Sequence, residues 1–175
     1  MTPPVAGPPC RARILAVDDE PAIRALEAKV LEELGHHVIE AGDGFEAIRL
    51  AREQQPDLVL LDLMMPGLSG LDVCKQLRAA KETANIRIIV VSGLDAKKAL
   101  EESILAGADD FLAKPLDPLE LMVRVRSILR VRNIDDPDQR LEAYVKNLQS
   151  IRKTGRPQDL DDIAKLQAVR QPPPP

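Results

Sequence analysis

A chain of 175 residues with 45% hydrophobic content is long enough to bury one core and carry short additional segments. Its formal net charge of −4, one Tyr, two Phe and no Trp argue against nucleic acid as the main partner, since they supply neither a basic footprint nor base-stacking surfaces. No apolar stretch approaches the ~20 residues of a membrane span, no basic-then-apolar leader opens the chain, and Cys10 and Cys74 form neither a disulfide framework nor a metal motif. A cytoplasmic protein without membrane contacts is expected.

Residues 1–11 contain Pro3, Pro4, Pro8 and Pro9 and read as a disordered, Pro-rich tail. From 12 to 134, strand-like and helix-like segments alternate five times. Strands are expected at Arg13–Val17, His37–Ala41, Leu58–Leu61, Ile86–Val91 and Phe111–Ala113. The helices between them carry start and stop signals. Pro21 lies early in the first and Gly35 follows it; Asp43 precedes the second; Ser69, with Asp72 three residues on, precedes the third. Asp95 precedes the fourth, which stops at Gly107, and Asp117-Pro118 opens the fifth. Five such units specify an α/β fold, a parallel sheet with helices on both faces.

Asp136-Pro137 breaks the alternation, and residues 135–170 are expected to form a helical extension before a Pro tail at 171–175. Within it a helix is predicted from Asp138 to Lys153, and a weaker one from Leu160 to Val169. In the first of these, Leu141, Tyr144, Leu148 and Ile151 are spaced 3, 4, 3, as in the seam of a short coiled coil. In the fifth helix, Val123 and Val131, with Ile134 just beyond, lie off the sheet-facing stripe and need a cover. Pairing with a second copy through the fifth helix and residues 138–153 is favoured over a fold-back onto the same domain. Arg124, Arg126, Arg130 and Arg132 read as a solvated basic face or a source of salt bridges.

Candidate chemistry clusters at strand ends. Asp18-Asp19-Glu20 follows the first strand, Asp62 closes the third, and Lys114-Pro115 follows the fifth. If the first and third strands are neighbours, their ends bring Asp18, Asp19 and Asp62 within a few ångströms. Carboxylates that close repel one another, which raises a pKa or recruits a cation, and an all-oxygen set suits Mg²⁺, or Mn²⁺ in its place. Lys114 adds a positive charge beside Asp62, and Ser92 offers a hydroxyl toward the same edge.

Asp18-Asp19, Asp62 with Met65-Pro66-Gly67 beyond it, Ser92-Gly93, Gly107-Ala108-Asp109-Asp110-Phe111 and Lys114-Pro115 together resemble the receiver domain of two-component response regulators. The resemblance implies a flavodoxin-like, doubly wound, five-stranded parallel sheet of order 2-1-3-4-5, with its site at the switch point between the first and third strands. It implies that Asp62 accepts a phosphoryl group from a sensor histidine kinase or a phosphotransfer protein. By the same resemblance, Asp19, Asp62 and the backbone carbonyl of Met64 hold the metal, with Asp18 supporting it through water. Ser92 and Lys114 bind phosphoryl oxygens, Phe111 is the switch aromatic, and the Lys114-Pro115 bond is a candidate cis peptide. The resemblance further implies that the chain catalyses only its own phosphorylation and dephosphorylation and signals to a downstream protein target.

Three other readings compete. Gly42-Asp43-Gly44-Phe45-Glu46-Ala47 fits a dinucleotide fingerprint, with Asp62 where a ribose-binding acid belongs, but Asp43 is unfavourable beside a pyrophosphate. An aspartyl-phosphate phosphatase needs a general acid two residues after its nucleophile, where this chain has Met64. A phosphorylation-independent adaptor or dimerisation module of the same fold is the main alternative.

Overall fold

Leu58-Val59-Leu60-Leu61-Asp62 is buried at every position, as a central parallel strand covered on both faces must be. It is the middle of a sheet in a computed structural model that describes residues 11–93 and 96–152. The expected terminal tails, the Asp95 cap and the helix at 160–169 lie outside the described residues. The elements run β1 (Arg13–Val17), α1 (Pro21–Glu33), β2 (His37–Ala41), α2 (Gly44–Gln54), β3 (Leu58–Asp62) and α3 (Gly70–Ala79). They continue β4 (Arg87–Ser92), α4 (Ala96–Leu105), β5 (Asp110–Ala113), α5 (Pro118–Arg130) and α6 (Pro137–Arg152). The five strands pair in parallel in the order β2-β1-β3-β4-β5, the doubly wound topology expected.

Strand alternation divides the core into two layers. Leu15, Val17, Val59, Leu61, Ile88, Val90 and Phe111 pack with residues of α2, α3 and α4. Ile14, Leu58, Leu60, Ile89, Val91 and Leu112 pack with α1, α5 and α6. The start signals act as capping groups: Asp43 accepts from Glu46 N–H, Ser69 from Asp72 N–H, and Asp117 from the N–H groups of Leu119 and Glu120.

The extension departs from expectation. Asp136 caps α6 by accepting from the N–H groups of Asp138 and Gln139 at 3.0 and 2.8 Å. The helix then folds back onto its own domain, where Tyr144, Val145 and Leu148 are buried with Val125, Ile128 and Val131. Val123, Ile134 and Leu141 are partly buried against the same cluster. Leu141, Tyr144 and Leu148, read as part of a seam between two copies, thus pack within one chain. The physical reason is that α5 left an apolar strip beside α6, and a short connection brings the two together without the entropic cost of association.

Arg124 also departs from the basic-stripe reading. It is only 1% exposed, and its guanidinium lies on Asp110 at 2.8 Å. A buried guanidinium so paired belongs to the core rather than to a solvated face.

Leu148→Ala, which opens a cavity under α6, is expected to cost about 2–5 kcal/mol in urea unfolding. The loss should not change with protein concentration, because α6 covers its own chain.

Candidate functional site

The register places Val17 beside Leu61, so the residues that follow, Asp18 and Asp62, leave adjacent strands at the same edge. Asp18, Asp19 and Asp62 each offer a carboxylate oxygen within 4.8 Å of the others. Asp18 is fully buried and Asp62 is 3% exposed, a costly placement for two negative charges. The Lys114 ammonium, arriving from the end of β5, lies 2.8 Å from Asp18 Oδ2 and 3.4 Å from Asp62 Oδ1. One cation thus bridges two carboxylates, holding Asp18 more closely than Asp62. Asp18 Oδ1 accepts from Glu20 N–H at 2.8 Å, and the Asp62 Oδ1 that faces Lys114 also accepts from Met64 N–H at 3.3 Å.

These surroundings raise both titrations, for different reasons. Burial raises the Asp62 carboxyl above its ordinary value, and the Asp18 charge adds to this, while Lys114 opposes both. For Lys114, burial alone would lower the value, but the hydrogen bond to Asp18 and the Asp62 charge outweigh it, so the ammonium is held protonated.

Ser92 ends β4 fully buried, and its carbonyl accepts from Lys114 N–H at 2.8 Å. The Lys114–Pro115 bond is cis. Phe111 is 6% exposed, its ring part of the layer beneath α4. Met64 is exposed at the rim. All-oxygen donors around an open strand edge suit a hard divalent cation. Among the described residues, the carboxylates of Asp18, Asp19 and Asp62 form a group able to hold one.

The dinucleotide fingerprint is accounted for by packing. Asp43 and Glu46 occupy the start of α2 as a reciprocal cap, Glu46 accepting from Gly42 N–H at 2.9 Å, which fills the position a pyrophosphate would need. A Cβ on Gly44 would sit 2.8 Å from the Leu68 carbonyl oxygen, so this glycine serves contact with the loop before α3.

Three residues of the site escape a sequence reading. Arg24 donates to the Asp18 carbonyl at 2.6 Å and to Glu40 at 3.1 Å, steadying the turn that carries the acidic pair. Gly70 starts α3 so close to β3 that a Cβ would lie 2.1 Å from the Asp62 carbonyl oxygen. Glu27 lies 1% exposed in α1, with Oε2 lacking a hydrogen-bond partner among the described residues. Burial and the Asp18 charge push its carboxyl up to about 8, against the opposing pull of Lys114. A signal for Glu27 exists in its position one turn before Leu31 on the sheet-facing stripe, but a glutamate there reads as a break in the stripe.

The folded chain therefore holds a proton on Glu27 that the unfolded chain, titrating at the ordinary 4.5, releases. Stability from this group is full below about pH 4.5 and is lost as pH rises through about 8. In chelator-treated protein, urea midpoints of Glu27→Gln should fall less between those limits than those of the native chain; parallel profiles would contradict the burial argument. Gly70→Ala should cost about 1–3 kcal/mol in the same assay, because the new Cβ must displace the Asp62 backbone.

Comparison with known proteins agrees with this geometry. Residues 14–126 match the family described as the response regulator receiver domain. The chain is 42% identical over 131 residues, 75% of its length, to the DNA-binding response regulator MtrA of Mycolicibacterium smegmatis, but spans only 56% of that protein. The expectation that nucleic acid is not a partner finds no support in such a relative. A putative response regulator from Chloroflexus aurantiacus is 32% identical with a TM-score of 0.66, the match covering 69% of this chain and 98% of that one. The receiver domain of sensor histidine kinase PA1611 from Pseudomonas aeruginosa, with a magnesium ion coordinated in its active site cleft, is 30% identical with a TM-score of 0.62, over 67% and 96% of the two chains. Among the described residues, no helix is long and apolar enough to cross a membrane. Paired strand-end carboxylates bridged by a lysine, on a sheet of order β2-β1-β3-β4-β5, thus place this chain in the response regulator receiver domain family of two-component signalling.

Proposed function

We propose that Asp62 is a phosphoacceptor, taking its phosphoryl group from a phosphohistidine of a kinase or phosphotransfer protein. The observation that carries this reading is the Lys114 ammonium lying within reach of both Asp18 and Asp62, beside three carboxylates whose oxygens approach within 4.8 Å. An Asp62 carboxylate oxygen attacks the phosphorus, the P–N bond breaks, and its electron pair returns to the donor imidazole. The product is an acyl phosphate on Asp62.

Asp19, Asp62 and the Met64 carbonyl are proposed to hold Mg²⁺ or Mn²⁺, with Asp18 supporting it through water. When bound, the cation neutralises charge on the transferring phosphoryl oxygens. The protein's own part is positioning. Lys114 opposes the burial that raises the Asp62 carboxyl toward its protonated, non-nucleophilic form. After transfer, its ammonium pairs with a phosphoryl oxygen, and the Ser92 hydroxyl meets another. Phe111, on the strand that delivers Lys114, is the residue through which the new charge is communicated to the surface. Signalling then passes by contact to a downstream protein, or to further segments of the kind found in longer relatives.

Incubation with acetyl phosphate and Mg²⁺ should add one phosphoryl group by intact mass, and Asp62→Asn should abolish the gain. Asp19→Ala should reduce labelling at limiting metal by at least about tenfold. Undiminished labelling of either variant would refute the assignment; a native chain that never labels would leave an adaptor of receiver fold.

A further inference from the structure

Asp110, the first residue of β5, is the meeting point of three elements. Its Oδ1 accepts the backbone N–H of Phe111 and Nη1 of Arg124, both at 2.8 Å, and its Oδ2 lies 3.0 Å from the same guanidinium nitrogen. The hydroxyl of Tyr144, from α6, donates to Oδ2 as well. Asp110 and Arg124 are each 1% exposed and Tyr144 is 3% exposed, so these bonds stand without competition from water. Burial beside Asp110 pushes the Tyr144 phenol well above its ordinary range, which fixes the hydroxyl as donor.

The geometry connects two faces of the sheet. Asp110 points toward α5 and α6, whereas the Phe111 side chain one residue later points to the opposite layer and packs beneath α4. A carboxylate that ties the Phe111 N–H to the Tyr144 hydroxyl therefore links the docking of α6 to the orientation of β5 where the buried ring leaves it. Three residues after Phe111, just past the end of the strand, Lys114 grips Asp18 and Asp62.

We propose that α6 is coupled to the phosphoacceptor site through Tyr144 and Asp110, Tyr144 acting as a positioning residue for Phe111. Docked α6 accompanies the buried pose of Phe111 and favours it. The inference rests on the reading of Asp62 as phosphoacceptor, with the buried ring as the pose that phosphorylation stabilises. Coupling of this kind is reciprocal: a phosphoryl group on Asp62 tightens α6, and docked α6 raises the affinity of the site for a phosphoryl group by the same factor. A helix that only covers apolar residues of α5 would show neither effect.

The probe is beryllofluoride with Mg²⁺, titrated into the full chain by calorimetry, with amide hydrogen exchange of residues 138–149 followed in parallel. The native chain should bind the analogue and show slower α6 exchange when saturated. Tyr144→Phe keeps the ring and leaves Asp110 paired with Arg124, so the fold is retained; it should bind the analogue about fivefold more weakly or worse, with α6 exchange no longer responding. Leu148→Ala loosens docking without touching Asp110 and should weaken binding as well. Exposed Gln149→Ala should leave it unchanged. Native-like affinity in Tyr144→Phe, to within about twofold, or α6 exchange indifferent to bound analogue, overturns the coupling while the phosphoacceptor reading stands. If the native chain labels with acetyl phosphate at no residue and binds no analogue, that reading fails and the coupling falls with it.

Discussion

Two buried carboxylates at one sheet edge cannot both stay charged without a cation, and much of this molecule follows from where that cation comes from. Asp18 follows β1 and Asp62 closes the neighbouring β3, but Lys114 follows the end of β5, with β4 between. To reach across, the lysine must pass the end of β4, where the chain has only Ser92 and Gly93. A Cβ on Gly93 would lie 3.8 Å from that of Lys114, so even the smallest side chain there would touch the lysine stem. Small residues at the end of β4 and a long cationic one at the end of β5 are a matched set. The strand order that brings β1 and β3 together is what makes the lysine reach past the end of β4.

A second consequence concerns charge reaching deeper than the edge. Glu27 sits in α1 within the field of Asp18 and Asp62, and its proton is the alternative to a third buried negative charge. Lys114 is already shared, and the opposing pull of Lys114 and Arg24 does not outweigh burial. The acidic site thus extends its influence into a helix that carries none of the proposed ligands.

Much of this was legible in the sequence because it depends on local periodicity and punctuation. Apolar runs with terminal acids marked the strands, and Asp43, Ser69 and Asp117 cap the helices they precede. The edge residues Asp18, Asp62, Ser92 and Lys114 stand together because strand ends in a parallel sheet share an edge, which the alternating pattern implies; the strand order itself came from family resemblance. What escaped depends on partners that periodicity does not name. The 3, 4, 3 spacing in α6 says that one face is apolar, not whether α5 of the same chain or another copy will cover it. Arg124 reads as surface because its neighbours Arg126 and Arg130 share its charge; only the position of Asp110 on β5 turns it inward. Gly70 is silent until β3 and α3 are placed against each other.

The polar link under α6 bears on why that helix sits where it does. A buried ion pair is poor evidence of added stability, since its desolvation offsets much of its attraction. Leu148 and Val145 could supply burial in more than one alignment, because an apolar face slides along another with little penalty for a turn's displacement. Asp110 and Arg124 remove that freedom. A hydroxyl placed elsewhere would leave the carboxylate with fewer donors in a dry environment and an unpaired phenol nearby, each expensive. Tyr144 therefore fixes the register of α6 against the strand that carries Phe111 and leads into Lys114. An apolar contact would hold the helix to the domain; this contact holds it to the strand whose end forms the site.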